Sequence, residues 1–192
     1  MIKSKAALRA LAVTSLAILA ATSGSEPNAA EVVGALASEG TPDDVLATAV
    51  VDGLPETPLS PDSARLLRRQ GDVRHYVATN ADAELCLITV KAAMDSTDVA
   101  DATCAAPSDV RDHGLPLRLR AGDEVIFAVL VPDGYESASR GDGRGQIRVI
   151  NNVISIDAAA APRMPDDLVL QPKRLSDHAI QIPIRPQDFR RG

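Results

Sequence analysis

The chain contains two cysteines, Cys86 and Cys104, which could form a disulfide, bind a metal ion or act as a reactive thiol pair. Zinc sites use the C-x₂₋₄-C spacing together with further ligands, and thiol redox motifs use C-x-x-C. A cysteine nucleophile needs a free thiol beside a histidine base. The spacing meets neither motif, and an even number of cysteines is typical of a disulfide in proteins that leave the cytoplasm. We therefore predict a Cys86–Cys104 disulfide, which stabilises the fold by about 3 kcal/mol in the chain-entropy account.

Three histidines could act as bases or metal ligands, and each stands alone in the sequence. His75 lies in an apolar run beside a tyrosine, His113 ends a short helical stretch, and His178 lies near the carboxyl terminus. The H-x-x-H and H-E-x-x-H spacings of zinc sites are missing, and so is the G-x-S-x-G sequence of a serine nucleophile. A Ser–His–Asp arrangement is spatial rather than sequential, so it stays open.

Two further motifs suggest chemistry but are better explained by turns and solvated loops. Asp95, Asp98 and Asp101 recur at intervals of three and would share a helix face, but the glycine and late glutamate of a calcium loop are missing. The sequence "RGDGRG" (140–145) lies between two strand-like runs, which favours a hairpin tip over a phosphate-binding loop. We predict no catalytic residues, no metal site and no cofactor.

Charge and composition exclude one class of partner and describe the core. The net charge is −6, and the chain without its first 25 residues is more acidic still, because that segment contains three basic and no acidic residues. Such a field repels a phosphate backbone, so we predict no nucleic-acid binding. Aromatic residues make up only 2% of the chain, so the core must be built from valine, isoleucine, leucine and alanine.

Residues 1–25 have the layout of a secretory signal, with basic residues, an apolar run from Ala10 to Ala21 and then small residues. The run is shorter than the ~20 residues that cross a bilayer. We predict a signal peptide cleaved after Ser23, with an uncleaved anchor or a short buried helix as alternatives. The protein would then be secreted, or held at the outer face of the cell membrane through residues 7–22.

The rest of the chain divides into three parts by composition. Residues 26–59 contain several prolines and predict a linker with nascent helix. Residues 60–158 predict a disulfide-stapled β-rich domain, and residues 159–192 predict a proline-rich mobile tail. Within the domain, "SPDSARLLRRQG" (60–71) predicts a helix, because a capping serine and a first-turn proline open it and Gly71 ends it.

Six short runs of β-branched and apolar residues, separated by turn sequences, predict strands at residues 73–79, 84–90, 115–120, 124–131, 146–150 and 153–158. "LPLRLR" alternates leucine with arginine, which is typical of a strand with one wet face. "VIFAVLV" is apolar on both faces and predicts a central strand. We expect a mainly β fold, an antiparallel sheet, sandwich or barrel-like domain of about six strands, with one or two short helices including "PSDVRDHG" (107–114).

The order "YVATNADAELCLI", "TCAAP", "HGLPLRL", "VLVPDGYESA" and "INNVISID" resembles a group of exported proteins from high-GC Gram-positive bacteria. In that group a Cys-Leu strand is followed by a second cysteine, a Gly-Leu strand, a Val-Pro-Asp-Gly turn and an Asn-Val strand. Tyr135 follows the turn where valine is usual. The resemblance covers about half of the chain and implies an exported protein, with no particular activity.

These observations favour a non-catalytic exported domain that binds or supports an envelope protein or a cell-wall component. A small secreted hydrolase is the second hypothesis, with His75 or His113 as base and a serine or aspartate brought close by folding. A protease-inhibitor-like scaffold, in which a rigid exposed loop is the active part, is the third.

Overall fold

A computed structural model describes residues 26–54, 58–93, 97–140, 146–157, 167–174 and 178–183. Within these residues the chain forms eleven strands in three antiparallel sheets, together with short helices. This confirms the mainly β class and exceeds the six strands expected.

The first sheet has the order β1 (Arg65–Gln70), β2 (Val73–Thr79), β3 (Leu85–Lys91) and β4 (Val99–Ala105). The middle sheet has the order β5 (Leu115–Ala121), β6 (Glu124–Leu130) and β9 (Val153–Asp157). The third sheet has the order β11 (Ile180–Pro183), β10 (Asp167–Pro172), β7 (Tyr135–Arg140) and β8 (Gln146–Arg148). The α-helices are α1 (Ala29–Val32), α2 (Thr48–Asp52) and α3 (Pro107–His113), and 3₁₀ turns span Gly34–Ala37, Pro42–Asp44 and Pro61–Ser63.

The middle sheet is buried on both faces. Successive side chains of its central strand, β6, point in opposite directions, so β6 contributes to a core on each face. On β6, Ala128 and Leu130 belong to the core shared with the first sheet. Phe127 and Val129 belong to the core shared with the third sheet. The prediction that "VIFAVLV" is a central strand is therefore confirmed, since β5 pairs with one side of β6 and β9 with the other.

The predicted helix over residues 60–70 is wrong beyond its first turn. Only Pro61–Ser63 is helical, and the following residues form β1, which pairs with β2 from Arg65 to Gln70. Gly71, taken as a helix stop, has φ +60° in the hairpin turn between the two strands. An isolated helix of about ten residues is marginal, whereas strand pairing satisfies the same backbone groups and buries Leu67.

Residues 26–59 were predicted to be a linker, yet the described part of this segment packs on the domain. Val32 and Val33 enter the core between the first and middle sheets. Leu46 and Val50 cover the outer face of the first sheet, packing with Tyr76 and its apolar neighbours. The outer face of the first sheet is apolar and is stabilised when other residues bury it. The short helical turns of the N-terminal segment are too short to be stable alone, and packing on this face stabilises them.

The predicted mobile tail also contributes strands. Residues 167–172 and 180–183 form β10 and β11, and Ile180 and Ile182 are buried against the middle sheet. The prolines suggested disorder, but Pro172 and Pro183 sit at strand ends, where a missing N–H removes little pairing.

Several local predictions are confirmed. "PSDVRDHG" forms α3, and Leu115, Leu117 and Leu119 are buried along one side of β5. The Val-Pro-Asp-Gly sequence forms a turn in which Gly134 has φ +96°. Two predicted features lie outside the described residues, namely the signal segment (1–25) and most of the hairpin tip (141–145). The strands on either side of the hairpin tip, β7 and β8, pair in antiparallel orientation. No helix in the described part of the chain is both long and apolar enough to cross a membrane.

Docking of the N-terminal segment can be tested with two valines of opposite exposure. Val33 is 0% exposed in the core, whereas Val45 is 72% exposed. Val33→Ala should lower the free energy of unfolding by about 2 kcal/mol, since it removes two buried methyl groups. Val45→Ala is the matched control and should change it by less than about 0.5 kcal/mol. Urea unfolding checks both, and equal effects would contradict the docked arrangement.

Candidate functional site

His75 is the histidine with two side-chain partners, and the structure encloses it between the first and middle sheets. The residue is 0% exposed. Its Nδ1 lies 3.0 Å from Thr89 Oγ1 and its Nε2 lies 3.0 Å from Ser155 Oγ. A neutral imidazole has one donor and one acceptor nitrogen, and each hydroxyl can play either role, so both ring nitrogens are satisfied.

Strand register brings these three residues together. Val73, His75 and Val77 alternate on β2 and point toward the middle sheet, and Thr89 stands directly opposite His75 on β3. Ser155 occupies the corresponding face of β9 in the middle sheet. The cluster is therefore a polar layer inside an apolar sandwich.

Burial, together with the smaller effect of the nearby positive charge of Arg68, lowers the pKa of His75 from an ordinary value of 6.5 to about 4. A bulge in β1 places Arg68 opposite His75, because the register shifts between Leu66 and Arg68. The imidazole is consequently neutral at pH 7 and could accept a proton from Ser155.

The cluster contains two elements of a hydrolase site and lacks the third. Imidazole and serine hydroxyl lie within hydrogen-bond distance, as nucleophilic catalysis requires. The other ring nitrogen meets the Thr89 hydroxyl, where a catalytic triad has a carboxylate. No carboxylate hydrogen-bonds to His75 within the part of the chain that the structure describes. His113 and His178 are exposed and stand outside the cluster.

The buried imidazole predicts a specific loss of stability in acid. The unfolded chain takes up a proton near pH 6.5, whereas folded His75 stays neutral until about pH 4, so stability falls as the pH drops through this window. The loss should reach about 3 kcal/mol by pH 4 and grow no further from this group below it. His75→Gln, which cannot titrate, should remove that part of the pH dependence.

Equilibrium unfolding of the wild type and His75→Gln at matched pH values measures the difference directly. Carboxylates titrate in both proteins, so they cancel in the comparison. Identical pH profiles for the two proteins would contradict a neutral buried His75.

The predicted disulfide is present. Cys86 and Cys104 are direct cross-strand partners on β3 and β4, with an S–S distance of 2.03 Å. Cys86 is 0% exposed and packs beneath Leu46 and Val50 of the N-terminal segment. Neither thiol is free, so the pair offers no nucleophile or metal ligand.

The acidic residues from the sequence serve local roles rather than a shared site. Asp98 forms an ion pair with Arg74 at 2.8 Å, and Asp101 accepts a hydrogen bond from the Ala102 N–H. Asp95 lies outside the described residues. Among the described residues, no group of three histidines, cysteines, aspartates or glutamates could hold a metal ion.

Asp133 has a structural role that the sequence alone did not reveal. Its carboxylate accepts hydrogen bonds from the Gly34 N–H at 3.0 Å and from the Asn152 side chain at 2.7 Å. Its own N–H donates to the Val32 carbonyl. One turn residue thereby ties the N-terminal segment to the turn before β9. A Cβ at Gly34 would lie 2.8 Å from Asp133 Oδ2, which explains a glycine there.

Surface clefts lie beside these turns in the described part of the chain. One, of about 690 Å³, lies between the end of α3 and the start of β11 and is lined by Arg111, Asp112, Tyr135 and His178 among others. The Tyr135 hydroxyl donates to the His178 carbonyl across it. Another, of about 590 Å³, lies beside the β2–β3 loop.

The β2–β3 loop is held by one side chain, Asn80. Its Oδ1 accepts from the N–H groups of Asp82 and Glu84, and its Nδ2 donates to the Glu84 carboxylate. Ala81 and Ala83 at the tip are exposed, and Ala83 has φ +59°. The loop thus presents a defined backbone shape to solvent.

No protein family model matches the chain, and no curated protein or solved structure is significantly similar to it. Function is therefore inferred from the geometry of this chain.

Proposed function

We propose that the protein is an exported, non-catalytic domain that binds a protein or cell-wall component of the cell envelope. One observation carries the non-catalytic part of the proposal: His75, the candidate base, is fully buried between two sheets. Ser155 is only partly buried, but a substrate would have to separate the first and middle sheets before its leaving group could take a proton from His75. Catalysis needs the reacting groups in contact with substrate, which this burial opposes.

Export is supported by two independent features. The amino-terminal sequence has a secretory layout, and the Cys86–Cys104 disulfide is compatible with an oxidising, extracytoplasmic location. A core with few aromatic residues benefits from such a covalent constraint once the protein leaves the cell.

A binding role is supported by the way surface turns are fixed. Asn80 holds the β2–β3 loop with three hydrogen bonds, and Asp133 anchors another turn through its carboxylate. Loops fixed before binding lose less conformational entropy when a partner docks. The same feature favours the inhibitor-like scaffold as a second candidate, because a defined exposed loop is what such a scaffold presents.

The proposal predicts saturable binding to envelope material without hydrolysis. The amount of labelled purified protein that sediments with isolated envelopes should rise to a plateau as more is added. An excess of unlabelled protein should displace the labelled protein. The same preparation should release no product from ester, amide or glycoside substrates above the level of Ser155→Ala, which is the matched control. Unfolding measurements on both proteins establish that they are folded.

Two results would decide against this role. Hydrolysis that disappears in Ser155→Ala would make the protein an enzyme. Inhibition of a protease panel that disappears in Asn80→Ala, without envelope binding, would support the inhibitor-like scaffold instead.

A further inference from the structure

A groove runs between β4 and β5, the neighbouring edges of the first and middle sheets. The two strands are joined through α3 but belong to different sheets. Their far ends form a groove of about 460 Å³, lined by Val99, Ala100, Asp101, Arg118, Leu119 and Arg120. The lining contains two arginines and one aspartate, so its charged side chains are mostly basic although the chain as a whole is acidic.

The Nε of Arg118 is buried and has no hydrogen-bond partner in the part of the chain that the structure describes. Among the buried side-chain nitrogens and oxygens of the described residues, only its Nε has no hydrogen-bond partner. The side chain also makes no ion pair within 4.0 Å to a described carboxylate. Arg118 lies on β5 opposite Phe127 of β6, and it is one of the residues that line the groove.

A buried, charged N–H without an acceptor costs more free energy than a satisfied one, and each such group calls for an explanation. An oxygen-bearing anion in the groove would supply the acceptor. Arginine binds planar carboxylates side-on, with Nε and one terminal nitrogen donating to the two oxygens. We propose that the groove between β4 and β5 binds a carboxylate group through Arg118.

The surrounding charges favour a carboxylate over a phosphate. Asp101 lines the same groove and repels a dianion more strongly than a monoanion. Arg120 adds a second positive charge at the exposed rim. The exposed Val99 gives the ligand an apolar contact beside its charge, which suits a small organic acid or the end of a peptide chain. This inference goes beyond the proposed function and does not depend on it.

The Arg118 side chain can be observed directly by NMR of the purified protein labelled with ¹⁵N-arginine. Titration with acetate should shift the Arg118 Nε–H resonance and reach saturation in the millimolar range, while equal ionic strength of chloride should not. Acetyl-Ala-Ala should shift it as well, and its carboxamide analogue should not. If acetate binds and acetyl-Ala-Ala does not, the ligand is a small free acid rather than a peptide end.

Arg118→Lys keeps the charge but loses the planar donor pair, so acetate affinity should fall at least about tenfold. Arg120→Lys is the matched control and should change affinity less than about threefold. A resonance that no anion moves would overturn the proposal. So would a larger saturable response to inorganic phosphate, or unchanged affinity in Arg118→Lys. The wild-type titration decides the question even if the variant fails to fold.

Discussion

Burial of the middle sheet on both faces is the constraint on which the rest of the structure depends. With few aromatic residues, the chain closes an aliphatic core on each face of the middle sheet, and β6 contributes alternate side chains to both. A strand that is apolar on both faces must be covered on both, so the sheet recruits the first sheet on one side and the third sheet on the other. The third sheet in turn needs β10 and β11, which is why the proline-rich C-terminal part is ordered where the structure describes it.

The same stacking sets the chemistry of the polar groups. His75 and Ser155 meet only because the first sheet lies on the middle sheet, and this stacking buries His75 completely while Ser155 stays partly exposed. Arg118, at the edge of the middle sheet, stays half-buried because β4 approaches β5 without pairing with it. Enclosure thus leaves both ring nitrogens of His75 hydrogen-bonded, while at the incomplete edge the Arg118 Nε has no hydrogen-bond partner among the described residues.

Local patterns in the sequence predicted the features that depend on local chemistry. The alternation in β5, the apolar run of β6, the helix α3 and the cysteine pair were all recognisable. β1 was missed because "RLLRRQ" consists of good helix formers, and its strand state depends on pairing with β2. β7, "YESASR", was missed because serine and alanine carry little strand preference, and burial of Ala138 decides its register.

Sequence patterns could not predict the contacts between sheets, because residues far apart in sequence meet only after the layers stack.

The central claim is that β6 couples both outer sheets into one cooperative unit, and native-state amide hydrogen exchange tests it most directly. The account predicts that Leu87, Val129 and Leu170, one from each sheet, exchange through global unfolding, with free energies that agree within about 1 kcal/mol. Exchange of Leu170 at a much lower free energy, while Leu87 and Val129 stay protected, would contradict it.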